Sequence, residues 1–360
     1  MKKIDKTLLI SVIILSLFGL LMIYSSSCIW ADYKFNDPYK YLKSQGLFLI
    51  LGYFLIYIIS KINYQIYYKY SNYILLICSI LLVLVLIPGI GSIRNGSRSW
   101  FGIGSFGIQP SEFAKLGLII FTSKYLTNNK IKSIRSSVFP ILLVVFFLFG
   151  LIMLQPDFGT GVILVMTIIA ILFISGVSMS FFTILGVLGL IGIVILIIIA
   201  PYRLERITSF INPWADPLGS GFQIIQSLYA IGPGGLLGMG LGNSIQKHFY
   251  LPEPQTDFIF SIISEELGFA GILIISCLFI TIIYHGINIS LKQEDNFAKY
   301  LSFGITFSLS FQTLLNLMVV VGLIPVTGVT LPFLSYGGSS LLVSMVSIGI
   351  LLNISKYNSQ

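Results

Sequence analysis

Apolar residues in this chain run in long unbroken stretches separated by short polar breaks. Stretches near the roughly 20 residues a helix needs to cross a bilayer lie at about 8–27, 46–60, 73–90, 111–126, 138–154, 159–177, 180–200, 258–284, 299–321 and 337–354. They are continuous Leu, Ile, Val and Phe runs without sustained period-2 alternation, which favours helices over a barrel. The pattern predicts an all-α integral membrane protein, a polytopic bundle of about ten transmembrane helices forming a single domain over residues 1–360. The largest polar insertion, about 201–257, separates spans seven and eight and reads as a large extracellular loop. No internal repeat stands out, which counts against an inverted-repeat transporter.

Composition removes the soluble alternatives. Hydrophobic residues make up 56% of the chain and charged residues 9%, with a mean hydropathy of +0.95. A soluble surface needs more charge, about 25% in ordinary globular chains, so soluble enzymes, nucleic-acid binders and disordered proteins are excluded. Cys28, Cys78 and Cys277 are too scattered for a disulfide framework or a zinc site. The first apolar run is too long for a signal-peptide core, and no cleavage site follows it cleanly, so it is expected to be a retained span.

The net charge of +8 then gives orientation. With the N-terminus inside, the inner loops hold Lys2, Lys3, Lys6, Lys61, Lys69, Lys124, Lys130, Lys132, Arg135, Lys292, Lys299 and Lys356, against only Asp5, Glu294 and Asp295. Excess Lys and Arg mark cytoplasmic loops, so both termini are expected in the cytoplasm and the loops at 28–45, 91–110, 155–158, 201–257 and 322–336 outside.

Ionisable groups at membrane depth are costly and gather in bundle interiors or aqueous cavities. One outer loop carries Arg94, Arg98 and Trp100 among glycines and ends in Gln109-Pro110-Ser111-Glu112-Phe113-Ala114-Lys115, a helix start. Glu112 and Lys115 share one helical face. They fit either a structural ion pair or the lining of an outward cavity, with Arg94 or Arg98 available for phosphate. Gln155-Pro156-Asp157-Phe158-Gly159-Thr160 is a tight turn in which Asp157 would cap the next helix.

The long insertion begins with a segment from Tyr202 to Trp214 suited to an interfacial helix. A glycine-rich run from Gly232 to Gly242 lacks the Gly-Lys-Ser/Thr of a nucleotide loop and reads as close helix packing or a re-entrant turn. Asp257 stands where span eight enters the membrane, as a cap or as a functional carboxylate. Glu253 precedes it and Glu265 and Glu266 follow, Glu265 about 12 Å deeper along a helix. A dry bilayer does not tolerate such a cluster, so one wet pocket is expected. The last outer loop, from Pro325 to Ser340 and including Ser335, carries hydroxyls and no charge and is a candidate lid. His248 and His285 have no ligand spacing.

Four segments in register, Arg98-Ser-Trp100-Phe-Gly-Ile-Gly with Gln109-Pro-Ser-Glu-Phe-Ala-Lys115, Gln155-Pro-Asp-Phe-Gly-Thr160, Pro252-Glu-Pro-Gln-Thr-Asp257-Phe-Ile-Phe-Ser-Ile-Ile-Ser-Glu-Glu-Leu-Gly268 and Leu331-Pro-Phe-Leu-Ser335-Tyr-Gly-Gly-Ser-Ser340, resemble the SEDS family (shape, elongation, division and sporulation). The likeness covers nearly the whole chain. From Pro201 to Gly268 it is nearer the division and sporulation branch, FtsW and SpoVE, with RodA next.

The resemblance implies a peptidoglycan glycosyltransferase of the bacterial cytoplasmic membrane. It would polymerise lipid II, an undecaprenyl-pyrophosphate disaccharide-pentapeptide, at the outer leaflet beside a class B penicillin-binding protein. It also implies Asp257 as the catalytic residue; Arg98, Trp100, Glu112, Lys115 and Asp157 as cavity residues; and a divalent cation, Mg or Mn. Ser335 is added here as a substrate-binding candidate from the lid. A β-1,4 link made from an α-linked donor inverts the sugar carbon, and the acceptor 4-hydroxyl needs a base. Asp257 fits that role if burial or nearby acids raise its pKa. The leaving pyrophosphate needs positive charge, from Arg98, Lys115 or the cation.

Two rivals belong to other classes. A lipid-linked oligosaccharide flippase would need a polar path to the inner leaflet, for which the spans supply little beyond Lys115. A non-catalytic division scaffold would tolerate substitution of Asp257.

Overall fold

A computed structural model describes residues 4–94, 96–102, 107–129, 137–199 and 201–357, with the side chains of 193, 196, 199 and 201–203 outside the description. Of the bases that orient the chain, Lys2, Lys3, Lys130, Lys132 and Arg135 lie outside the described residues. The helices are α1 (Lys6–Phe35), α2 (Lys40–Lys61), α3 (Gln65–Leu86), α4 (Pro110–Asn128), α5 (Phe139–Met153), α6 (Phe158–Ile174), α7 (Met179–Ile199), α8 (Pro201–Ile211), α9 (Phe222–Ile231), α10 (Ile259–Leu291), α11 (Asn296–Val320) and α12 (Gly338–Ser355). Between α3 and α4, strands β1 (Ser92–Arg94) and β2 (Ser97–Trp100) pair as an antiparallel hairpin.

Every stretch expected to span is helical. Length and apolarity identify six candidate spans among the described residues, α1, α2, α3, α10, α11 and α12, while α5, α6 and the first part of α7 are apolar but shorter. Helix α4 interrupts its apolar run with Ser111, Glu112, Lys115, Thr122 and Ser123, all buried. The expectation of ten spans therefore rests on adding α4–α7 to these six.

Packing differs from that of a soluble protein in its surface and in the polar groups set into its apolar core. Ile50 and Phe54 on α2, Ile77 on α3 and Phe147 on α5 point outward, whereas Ser16, Gln45, Thr167, Gln312 and Asn316 are buried. Lipid offers side chains no hydrogen bonds, so polar groups turn inward and find partners on neighbouring helices. At the end that carries the chain termini, Asp5 caps α1 by accepting from the Leu8 N–H at 3.0 Å. The same carboxylate meets His285 Nδ1 of α10 at 2.7 Å. The Asp5 N–H donates to Ser355 Oγ of α12 at 3.2 Å, so one residue gathers three helices.

At the opposite end the insertion between α7 and α10 folds rather than dangling. Helix α8 occupies the segment expected to be interfacial, and the glycine-rich run docks against a break in α10. Gly268 takes φ 61° inside α10, which frees the carbonyls of Glu265 and Glu266. The N–H groups of Met239 and Gly240 donate to those carbonyls, both at 2.9 Å. A Cβ on Gly268 would stand 2.4 Å from Gly238 N, and one on Gly238 2.2 Å from Glu266 O, so the two backbones touch only because both residues are glycine. The run is thus a re-entrant turn that satisfies a broken helix.

The expectation of one wet pocket for all four acids is corrected here. Glu265 and Glu266 are fully buried and fully bonded. Glu265 accepts from Ser244 Oγ at 2.5 Å and from the Ile245 N–H at 2.9 Å. Glu266 accepts from Ser25 Oγ at 2.7 Å and pairs with Lys247 Nζ at 3.0 Å. Protein donors replace water there, and the two acids hold the re-entrant segment in place, leaving Asp257 and Glu253 nearer the surface.

Candidate active site

Asp257 lies in the turn that leads into α10, one residue before its N-cap Phe258, and makes no cap bond of its own. Its position is set by backbone. Ser335 Oγ donates to the Thr256 carbonyl at 2.7 Å, and the Tyr336 N–H donates to the Gln255 carbonyl at 2.8 Å. Asn316 Nδ2, from α11, donates to the carbonyls of Asp257 and Val329, each at 2.7 Å. Gly328, at φ +73°, brings the last loop so close that a Cβ there would lie 3.7 Å from Asp257 Oδ2.

Among the described residues no side chain or N–H is hydrogen-bonded to the Asp257 carboxylate, so the cap reading falls away. The residue is half-open at the surface while its carboxyl is surrounded by protein, and its pKa is pushed up to about 7. Burial is the largest cause; the Glu253 carboxylate raises it further, the Arg206 charge lowers it, and Asp157 raises it slightly.

Asp157, by contrast, is spent. It is the N-cap of α6, accepting from the Thr160 N–H at 3.2 Å. Its Oδ2 also accepts from Gln109 Nε2 at 2.9 Å and Ser111 Oγ at 3.3 Å, which ties α6 to the start of α4. The hairpin is fastened beside it, since Ser97 Oγ donates to the Gln155 carbonyl. Arg94 lies over the Trp100 ring at 4.9 Å. Arg98 is partly buried, and among the described residues its Nη1 is enclosed without a partner.

Glu112 and Lys115 pair on α4 at 3.0 Å, both buried. Lys115 Nζ also donates to Gln312 Oε1 at 2.8 Å, and Gln312 Nε2 donates to the Thr330 carbonyl at 3.0 Å. The pair lines a small cavity with Ser308, Gln312, Ser344 and Ser347. It reaches Asp257 indirectly, through Gln312 and the last loop. Ser335 is buried, with its hydroxyl accepting from the Leu331 N–H at 2.8 Å while donating to Thr256.

Sequence reasoning missed Gln312, Asn316 and Arg206. The first two left a signal: two amides four residues apart, hence on one face, inside the apolar run of α11. Arg206 was legible only as one charge of an interfacial helix.

The fold and site together define a multi-pass helical membrane protein with an uncommitted carboxylate beneath the loops at one end. The FtsW/RodA/SpoVE cell cycle protein family matches residues 5–360, and the chain belongs to that family. Stage V sporulation protein E of Bacillus subtilis is 52% identical over 356 residues, covering 98% of this chain and 97% of its own length. The probable peptidoglycan glycosyltransferase FtsW of Coxiella burnetii is 42% identical, covering 97% of this chain and 95% of its own. A solved chain from a peptidoglycan synthase complex that coordinates polymerization and crosslinking matches with a TM-score of 0.80 at 28% identity over 98% of both chains. The rod shape determining protein RodA of Thermus thermophilus matches with a TM-score of 0.74 at 26% identity, over 99% of this chain and 98% of its own.

Proposed function

We propose that this chain is a peptidoglycan glycosyltransferase that polymerises lipid II, with Asp257 as its general base. The observation that carries the reading is the contrast between carboxylates. Glu112, Asp157, Glu265 and Glu266 are bonded to protein donors, whereas the Asp257 carboxylate has no hydrogen-bond donor among the described residues, is half-open and is raised to about 7. A base poised near the working pH is best placed to take a proton in the transition state.

The acceptor 4-oxygen attacks the donor C1, the C1–diphosphate bond breaks, and Asp257 takes the hydroxyl proton. The sugar carbon inverts, and undecaprenyl diphosphate leaves with the bonding electrons. Arg98 and Trp100, on the hairpin beside Asp157, form the proposed wall for the sugars. Glu112, Lys115 and Ser335 act by holding the loop from Pro325 to Tyr336 over the site.

A divalent cation, Mg or Mn, belongs to this proposal. Among the described residues no three His, Cys, Asp or Glu gather as a cage. Magnesium commonly takes one or two carboxylates and draws its other ligands from phosphate and water. Asp257, as the base, is not available to hold such an ion; the ion would rest mainly on the substrate's diphosphate and water and would supply charge to the leaving group. A class B penicillin-binding protein is the proposed partner, supported by the polymerising and crosslinking complex to which the fold is similar. The site end is proposed to face outward and the termini inward, because Lys6, Lys61, Lys292, Lys299 and Lys356 lie at helix ends opposite Asp257.

The test is polymerisation of lipid II by the purified full chain with its partner in detergent, where no leaflets exist. Asp257→Asn should stay folded and lose activity by about 10²–10⁴-fold. Full activity in that variant removes the base, and inactivity of the wild-type complex favours a flippase or scaffold.

A further inference from the structure

Five aromatic side chains from four segments meet at the end of the molecule that carries Asp257. Trp30 and Tyr33 come from the last turns of α1, Tyr41 from the start of α2, Phe249 from the turn after the glycine-rich run and Tyr336 from the last loop. Phe249 packs edge-on against Tyr33 and Trp30, with ring centroids 5.3 Å and 5.8 Å away. Tyr41 packs edge-on against Tyr336 at 4.9 Å. The Tyr41 side chain also interacts with Trp30 and Glu253, which joins the two groups into one run. Tyr33 and Phe249 are exposed, and the other three rings are partly open.

The inner end of the run touches the segment that bears the proposed base. The Tyr336 N–H donates to the Gln255 carbonyl at 2.8 Å, and its hydroxyl shares a hydrogen bond with Ser44 Oγ of α2 at 3.3 Å. The outer end is held open under strain. Phe249 takes φ 67°, a left-handed conformation that a bulky residue rarely adopts. Its turn is pinned on both sides, by buried Lys247 paired with Glu266 and by buried Leu251, whose N–H donates to the Gln246 carbonyl at 2.9 Å. The strained backbone thus presents the ring instead of burying it.

We infer that these rings form a binding platform for the β-1,4-linked amino-sugar strand, with sugars already joined stacking on Phe249, Tyr33 and Trp30. The inference rests on the glycosyltransferase reading and adds a subsite outside the reacting pair of sugars.

The chemistry of the ligand matches the run. In a β-1,4-linked pyranose the hydroxyl and amide groups lie around the rim, and C–H groups cover the faces. An aromatic face carries the negative part of its quadrupole and attracts those C–H groups, while tyrosine hydroxyls and the indole N–H serve the rim. A belt that only anchors a protein among headgroups also uses Trp and Tyr. Such a belt needs neither contact with the base-bearing segment nor a ring held at strained φ. An enzyme that adds sugar after sugar gains from a second hold on the strand, because the strand is retained between additions. Loss of a ring should therefore shorten the product without slowing bond formation.

The experiment uses the full chain with its partner in detergent. Four quantities are measured: the length distribution of strands made from lipid II, the initial rate of lipid II consumption, the affinity for a soluble β-1,4 N-acetylglucosamine hexamer, and the thermal midpoint. Phe249→Asn removes the ring and keeps a residue that accepts the left-handed conformation. Tyr33→Ala removes the neighbouring ring, and Phe249→Tyr keeps one. Phe249→Asn and Tyr33→Ala should each weaken hexamer binding about fivefold and shift the product to shorter strands. Their initial rate and thermal midpoint should change little, and Phe249→Tyr should behave as wild type.

Wild-type strand lengths and hexamer affinity in both ring-removing variants would overturn the platform. So would a wild type that polymerises lipid II without binding the hexamer. Unchanged hexamer affinity with loss of the partner from the complex would give the surface to a protein contact, and a lowered thermal midpoint alone would make it a membrane anchor; either result overturns the inference. If wild type makes no polymer, the glycosyltransferase reading fails instead, and hexamer affinity, read separately, keeps the two failures distinguishable.

Discussion

Asn316 holds Asp257 by its backbone: a single side-chain nitrogen on α11 donates to the Asp257 carbonyl and the Val329 carbonyl, each at 2.7 Å. The turn that carries the carboxylate and the loop that covers it are thereby pinned to one point of a buried helix. Gln312, one turn away, does the same for Thr330 and connects that point to Lys115 and Glu112. The proposed base thus sits on a loop positioned by amides from a neighbouring helix.

Asn316→Ala should leave both carbonyls without their donor, at a cost of about 1–3 kcal/mol each where no water replaces it. Turnover is expected to fall at least tenfold with KM for lipid II little changed, because the substituted residue positions the base rather than the substrate. Steady-state kinetics alongside a thermal melt in detergent check this. A variant that melts early yet keeps its kcat would make Asn316 structural only.

The proposed base role requires a deprotonated Asp257. With its carboxyl pushed up to about 7 by burial and then by Glu253, kcat/KM should climb with pH through about 7 and level off above. Glu253→Gln removes the second cause, so the acid limb should move to lower pH. A limb that does not move uncouples Glu253 from the base.

The same shift bears on stability. The folded-state value lies above the reference 3.8, so the folded protein holds that proton more tightly than the unfolded chain. The resulting stabilisation is full below the unfolded value and is lost as pH rises through about 7. At pH 8 the ionised carboxylate is a net cost, and Asp257→Asn should melt no earlier than wild type. An earlier melt for Asn would show that the carboxylate is structurally engaged.

Breaking the Lys247–Glu266 pair should be far more damaging than breaking a surface pair. Lys247→Met leaves a fully buried carboxylate with only the Ser25 hydroxyl and the Ser244 N–H as donors, and about 3–5 kcal/mol is the usual penalty. The double variant Lys247→Met, Glu266→Gln should recover a large part of it. Thermal midpoints of the four proteins complete the cycle.

Gly268→Ala tests the break in α10. The strained φ costs on the order of 1–3 kcal/mol, and the new Cβ meets backbone at 2.4 Å and 2.6 Å. Poor accumulation in membranes and a lowered melt are expected. Wild-type behaviour would mean that the re-entrant turn adjusts freely.

Much of the site was legible because chemistry in a membrane chain is scarce. Asp257, Asp157, Glu112 and Lys115 stand out because they lie at or just inside the ends of long apolar runs. Their division of labour was not legible. Asp157 and Asp257 both precede a helix in sequence, yet one accepts from three donors and the other from none among the described residues. The acids at Glu265 and Glu266 misled for the same reason: their partners, Ser25, Ser244 and Lys247, come from another helix and a distant turn.

The sequence by itself determined the solvent, the helical segments and the end of the molecule where chemistry resides. Long apolar runs have no stable alternative to helices in lipid, and a charge left at membrane depth must have a reason. Only the tertiary structure decided which of the few charges are spent. It paired Lys115 with Glu112 and Lys247 with Glu266, set Asn316 under Asp257 and laid Arg206 against the covering loop. Those outcomes depend on contacts between segments far apart in the chain. The physical difference between a structural carboxylate and a reactive one is the presence or absence of such a contact.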